Sequence, residues 1–271
     1  MFIKTEAIVL RVHPWSNTSH LVVWLTPEHG RVSTRVKGAC RPKSLFLGQY
    51  DLCYTCELLF YARETGGVHS IREVSPLDTR DALRSNWRSA CAANYYADLA
   101  HHASVPMQEA RTHYELLRRD LDALCRDIPR PVDILLHEAR VLKLLGLAPN
   151  LAPCPACHGP EQSVRYSVTA ARPLCEHARP AAATDTVLTL PPGVLQALGG
   201  LFNATETSCF QNSPWGVPLH ALNGEKFLLA IFRFFGTFMR LHIEYPMGPR
   251  RTLFDLFNSL PRPKPLAVGG V

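Results

Sequence analysis

Hydrophobic and polar positions alternate from the start of the chain. Ile8, Leu10 and Val12 share one face, Leu21 to Thr26 is a second apolar run, and Val32, Thr34 and Val36 alternate with Arg31, Ser33, Arg35 and Lys37. A period of two puts successive side chains on opposite faces of a strand. Turn sequences separate the runs: Pro14 to Thr18, Pro27-Glu28-His29-Gly30 and Gly66-Gly67. Tyr50 to Tyr61 reads as a fourth strand and Val68 to Val74 as a fifth. Five strands in about seventy residues predict a small closed barrel, with an OB-fold as the natural candidate.

Beyond residue 79 the period lengthens. Leu83, Trp87, Cys91, Tyr95 and Leu99 step by four; Tyr114, Leu117, Leu121 and Leu124 step by three and four. Both are the stripe of a helix with one buried face. Pro131 is placed to open a helix and Gly146 to close it. Two more helices are expected at Val194 to Phe202 and at Glu225 to Leu241, where Leu228, Ile231, Phe235 and Phe238 recur at helical spacing. After Pro246 a frayed tail is expected, with one turn at most around Phe254 to Phe257. The expected architecture is α+β and multidomain. A five-stranded OB-fold barrel spans residues 1–78, and an α-helical bundle spans 79–146 and 187–245. A zinc-ribbon-like knob is inserted at 147–186, and a flexible tail covers 246–271.

The insertion has its own chemistry. Cys154, Cys157, Cys175 and His177 form C-x2-C-x17-C-x-H. A tight turn lets two thiolates separated by two residues reach one ion, and structural zinc takes four N or S ligands. The alternative is a knob that folds by packing alone. His158 follows Cys157 directly and is poorly aimed as a spare ligand. Cys53 and Cys56 repeat the short spacing inside a strand, where they face opposite ways, and read as structural.

Charge adds a second candidate. The chain has 271 residues and a formal net charge of +6, a mild excess, so a nucleic-acid argument must rest on clustering. The cluster is Arg31, Arg35, Lys37, Arg41 and Lys43, on one strand face and the loop after it. Such a face tracks a phosphate backbone, while Trp15, Trp24 and Tyr50 are candidates for stacking on bases. The bland alternative is a solvated face with Trp24 in the core. Arg140 and Lys143 flank the apolar stripe from Leu135 to Leu145, which suits a short acidic, hydrophobic peptide if those leucines are not simply bundle core.

Other classes lose ground. Nine cysteines, an odd number, and an N-terminus without a cleavable leader point to a reducing, cytoplasmic setting. Phe227 to Ile243 is interrupted by Arg233 and Arg240 and is too short to span a membrane. Phosphate-loop, dinucleotide, nucleophile-elbow and H-E-x-x-H motifs are missing. Pro153-Cys154-Pro155-Ala156-Cys157 matches half of the zinc-dependent nucleobase deaminase signature, but His137 and Glu138 are adjacent instead of spaced as H-x-E. A protein-interaction scaffold without DNA binding is the third class.

Several segments, in this order, resemble the RecO family of bacterial recombination mediators. They are E-A-I-V-L at residues 6–10, L-T-P-E-H-G at 25–30, K-G-A-C-R-P-K-S at 37–44 and L-K-L-L-G-L-A-P-N-L-A-P-C-P-A-C at 142–157. The resemblance implies an OB-fold domain, a helical bundle and a zinc-ribbon insertion. It implies binding to single- and double-stranded DNA, annealing of complementary strands, and help in loading recombinase onto protein-coated DNA. The implied partners are a RecR-type mediator and the acidic C-terminal tail of single-strand DNA-binding protein. The implied setting is the bacterial nucleoid, with no catalysis. Lys37, Arg41 and Lys43 fall on the family's basic loop, with Arg35 on the strand leading in. Cys154, Cys157 and Cys175 fall on three of its four zinc-ribbon cysteines. The fourth is expected at Ala178, and this chain offers His177 one position early.

Overall fold

The computed structural model describes residues 1–63, 66–103, 105, 107–152, 162–175, 184–203 and 225–259. The amino-terminal strands are β1 (Phe2–Ser16), β2 (Ser19–Thr26), β3 (Gly30–Val36), β4 (Thr55–Tyr61) and β5 (Val68–Asp78). They close a barrel in the order β1-β2-β3-β5-β4, the OB-type architecture the alternation predicts. β1 is long enough to pair with β4 from Phe2 to Ile8 and with β2 from Ile8 to Ser16, which closes the cylinder. β3 and β5 run parallel; the other pairs are antiparallel. Gly30 opens β3 at φ +58°, a left-handed conformation that residues with a Cβ rarely adopt.

The fourth strand is shorter than the sequence suggests. Cys53 sits at φ +64°, which breaks the pleat, and Tyr54 N–H donates to Asp51 O at 3.0 Å in a turn. Only from Thr55 does the chain run extended.

Alternation along β1 and β2 feeds two cores. Ala7, Val9, Val22 and Trp24 point into the barrel with Val32, Val36, Leu58 and Phe60. Ile8, Leu10, Val23 and Leu25 point outward and join the core of the helical bundle. That bundle comprises α1 (Ala82–Ser85), α2 (Trp87–His102), α3 (Ala110–Arg126), α4 (Pro131–Leu144), α5 (Val194–Asn203), α6 (Glu225–His242) and α7 (Met247–Ser259). Pro131 and Gly146 bound α4 as expected. Arg130 N–H donates to Asp133 Oδ2 at 2.8 Å at the start. At the end Gly146 stands at φ +71°, and the N–H groups of Gly146 and Leu147 close on the carbonyls of Lys143 and Leu142 in a Schellman arrangement.

Three expectations need correction. The stripe through Leu83 and Leu99 is not one helix, because Asn86 interrupts it and its side chain caps α2 by accepting from Arg88 N–H at 2.9 Å. Trp87 is left outside, 40% exposed. The segment from 246 is not all tail. Its proline and glycine open α7, whose Leu253, Phe254 and Phe257 are buried, since proline is tolerated in a helix's first turn. The insertion does not end at 186. β8 (Val187–Leu190) pairs with β6 (Val164–Ser167), which also pairs with β7 (Arg172–Leu174). Val164, Tyr166 and Leu190 belong to the bundle core, so the small sheet is part of the bundle's packing.

Charged side chains fasten barrel to bundle. Arg80, 4% exposed, donates to Cys53 O at 2.7 Å, Thr55 Oγ1 at 2.9 Å and Asp122 Oδ1 at 2.8 Å. Arg11 pairs with Asp98, Tyr114 OH donates to Glu6 Oε2 at 3.0 Å, and Arg111 pairs with Glu28 at 2.6 Å.

Candidate nucleic-acid interface

β3 presents Val32, Thr34 and Val36 to the barrel interior and leaves Arg35 partly exposed and Lys37 exposed on the outside. The chain then turns at Gly38, φ +74°. The loop that follows is a chain of tight turns: Arg41 N–H donates to Gly38 O at 3.1 Å, Ser44 N–H to Arg41 O at 2.9 Å, and Leu47 N–H to Ser44 O at 3.3 Å. Its base is stapled to the β1–β2 hairpin, since Cys40 N–H donates to Thr18 O at 3.2 Å and Gly38 N–H to Ser19 Oγ at 3.4 Å. His20 lies between Cys40 Sγ, 3.2 Å from its Nε2, and Tyr50 OH, 2.8 Å from its Nδ1. The loop is therefore held in place while Lys37, Arg41 and Lys43 stand exposed on it. Among the described residues neither these three nor Arg35 carries an ion pair. Free cations on a fixed loop suit a polyanion.

Arg31 has a different job. Its Nη1 donates to His101 O at the C-terminal end of α2, where a cation complements the helix dipole and ties β3 to the bundle.

The aromatic candidates divide. Trp24 is fully buried in the barrel, with its indole N–H donating to Thr34 Oγ1 at 2.9 Å. Tyr50 packs edge-on against it at 6.0 Å, and burial, with the neighbouring Cys40, pushes its phenol up to about 12. Trp24 has no face to offer a base, and Tyr50 is half-buried against it. Trp15 has one: it is 51% exposed on the hairpin that anchors the basic loop. The sequence reading missed Leu45, 90% exposed, and Leu47 on the same loop. It also missed Arg72, exposed on β5 two residues beyond Ser70, the register partner of Arg35. A run of hydrophobics directly after a basic loop was the available signal for the leucines. Arg72 needed the β3–β5 pairing, which no local pattern reveals.

The helix-face candidates are engaged internally. Arg140 Nη1 lies 3.2 Å from Asp120 Oδ1, and His137 Nδ1 lies 2.7 Å from the other oxygen of that carboxylate. Burial alone would raise Asp120, but the His137 hydrogen bond and the Arg140 and Arg119 charges hold it below the usual carboxylate range. Lys143 Nζ donates to Phe202 O at 3.3 Å, at the end of α5. The leucines between them, Leu135, Leu136 and Leu142, are bundle core.

Glu138, the deaminase-like acid, is fully buried. It holds Arg250 through Oε1 at 2.7 Å and Oε2 at 2.9 Å and accepts from Tyr95 OH at 2.6 Å. A carboxylate so occupied cannot shuttle protons to a base. Cys53 lies in the bundle core and Cys56 in the barrel core. They do face opposite sides, but not by strand alternation as expected, since Cys53 precedes β4 at φ +64°; burial pushes both thiols up to about 12. Cys154, Cys157 and His177 lie outside the described residues. Cys175 follows β7 and is half-buried. Among the described residues no group of three or more potential metal ligands comes together.

Residues 1–80 match the family model described as Recombination protein O N terminal, and residues 84–210 match Recombination protein O C terminal. A curated relative, the DNA repair protein RecO of Moorella thermoacetica, is 34% identical over 155 residues, which cover 57% of this chain and 57% of that protein. The DNA repair proteins RecO of Bacillus cereus (strain AH187) and Bacillus anthracis are each 25% identical over 175 residues, covering 65% of this chain and 70% of theirs.

Proposed function

The chain belongs to the RecO family, and from that premise we propose that it is a non-enzymatic DNA repair protein. In this reading it binds single- and double-stranded DNA, anneals complementary strands and helps load recombinase onto protein-coated single strands. The observation that carries this is the fixed loop at one end of the barrel: Lys37, Arg41 and Lys43 are exposed on it, and it is stapled to the hairpin that carries Trp15. Each cation placed against a phosphate releases a counterion, so affinity grows as salt falls. Trp15 adds stacking that tolerates any base, and the exposed Leu45 and Leu47 on the same loop offer apolar surface to unstacked bases. Such a grip ignores sequence, as a protein that must act on any broken duplex requires. Two protein partners belong to the same reading: a RecR-type mediator and the C-terminal tail of single-strand DNA-binding protein. For that tail the exposed Lys143 on α4 is the cation on offer, because Arg140 is held by Asp120 and the leucines between them are bundle core.

The test is a salt titration with single-stranded DNA. Replacing Lys37, Arg41 and Lys43 together by alanine should weaken binding to all sequences alike. The salt slope should fall by about 2 units, at about 0.7 per lost single-strand contact. An unchanged slope overturns the barrel assignment. Annealing on naked and on protein-coated DNA then separates a mediator from a simple binder.

A structural zinc held by Cys154, Cys157, Cys175 and His177 is part of the proposal, as a clasp for the small sheet with no role in the DNA chemistry. Metal analysis should find one zinc per chain, lost on Cys175→Ser. A zinc-free, folded protein leaves the segment held by packing alone.

A further inference from the structure

A cleft of about 150 Å³ opens between α6 and the start of α7, lined by Arg233, Arg240, Arg250 and Arg251 with Thr237 and Gly236. Among the described residues no barrel residue and no carboxylate lines it. Arg233, Thr237 and Arg240 sit at i, i+4 and i+7, one face of α6. Arg250 and Arg251 lie in the opening turns of α7, whose first turn carries no acid. Cations at the positive end of a helix dipole are unfavourable unless an anion joins them. Arg250 has its anion, the buried Glu138. Arg233, Arg240 and Arg251 are exposed, and among the described residues they carry no ion pair. Gly236 keeps the cleft open and α7 close, because a Cβ there would lie 3.0 Å from Arg250 Nη1.

We propose that this cleft grips the phosphodiester backbone of a nucleic-acid strand, as a second contact built on elements separate from the barrel. Guanidinium forks recognise phosphate oxygens bidentately, and the Thr237 hydroxyl and the α7 N-terminus add donors suited to the same group. The alternative occupant, an acidic peptide with a hydrophobic anchor, needs an open apolar seat. The Phe232 ring is instead covered by the Arg250 guanidinium, 4.1 Å from its centroid, which leaves Met247 as the apolar wall among the described residues. The inference rests on the DNA-binding reading above and extends it: two backbone grips on one rigid body can hold two strands, or two stretches of one, side by side.

The test compares two variants of the full chain by salt titration with a labelled oligothymidylate. One is Arg233→Ala/Arg240→Ala/Arg251→Ala; the other is the Lys37, Arg41 and Lys43 alanine variant. The cleft variant should lose about 2 units of salt slope and bind about tenfold to a hundredfold more weakly at low salt. The loss should be independent of the loop variant's. Replacing the same three arginines by lysine should retain most of the slope, which separates charge from folding. If the loop variant is impaired and the cleft variant binds like the parent, the cleft proposal is overturned and the barrel reading stands. If the reverse holds, the cleft stands and the barrel reading falls. An unchanged DNA slope with lost binding of inorganic phosphate, or of an acidic peptide, assigns the cleft to that ligand and overturns a strand contact.

Discussion

At the scale of single residues, the molecule spends its unusual electrostatics on structure. His113 on α3 is 3% exposed, and its Nε2 finds no partner among the described residues. Burial, then the His137 and Arg31 charges, push its imidazole down to about 4. A histidine held neutral this way loses ground in acid. Below its ordinary value near 6.5 the unfolded chain takes up a proton that the folded chain refuses until about 4. Stability therefore falls as pH drops across that window, by up to about 3 kcal/mol. Urea midpoints at pH 7 and pH 5 check this: the parent should lose stability on acidification, and His113→Gln should lose measurably less. An equal loss in both would place the acid sensitivity elsewhere.

At the scale of elements, α7 is held to the bundle by a buried ion pair and by the packing of Leu253, Phe254 and Phe257. Glu138 on α4 and Arg250 on α7 are both essentially inaccessible, and the arginine also stacks on Phe232 and Phe254. Removing one partner strands a charge in the core, which costs about 3–5 kcal/mol. Glu138→Leu should lower the thermal midpoint steeply, and adding Arg250→Met should recover much of the loss; no recovery in the double variant would mean the helix is held by something else. This pairing joins residues 112 apart in the chain, and it marks the limit of what the sequence discloses. Periods of two and of three to four disclosed the barrel strands and most helices, because each reports which face is buried locally. The same patterns could not show that Pro246 to Pro249 begin a helix, since the reward is contact with distant Phe232 and Glu138. Nor could they tell Arg31, bonded to a helix end, from Lys37, which faces water three pleat repeats further on. Both are cations on one strand face, and only the neighbouring element distinguishes them.

At the scale of the whole molecule, barrel and bundle behave as one body because they share strands and are pinned by Arg80. That residue holds a left-handed backbone, φ +45°, and reaches three acceptors on both sides of the junction. Arg80→Ala should cost about 3 kcal/mol, since Cys53 O and Thr55 Oγ1 lose their donor in a buried place. Calorimetry should show a single transition in the parent and a broadened or split one in the variant. A parent that already melts in two steps would contradict the shared core. Such rigidity matters for the proposed function, because two strands can be aligned only by grips that do not drift apart.

The double use of β1 and β2 carries a consequence for anyone wishing to borrow this barrel. Ile8, Leu10, Val23 and Leu25 form an oily stripe on its outer wall that the helices ordinarily hide. Cut loose after Asp78, the cylinder would bare that stripe and stick to its own kind. Transplanting it demands repainting those four positions with polar side chains first.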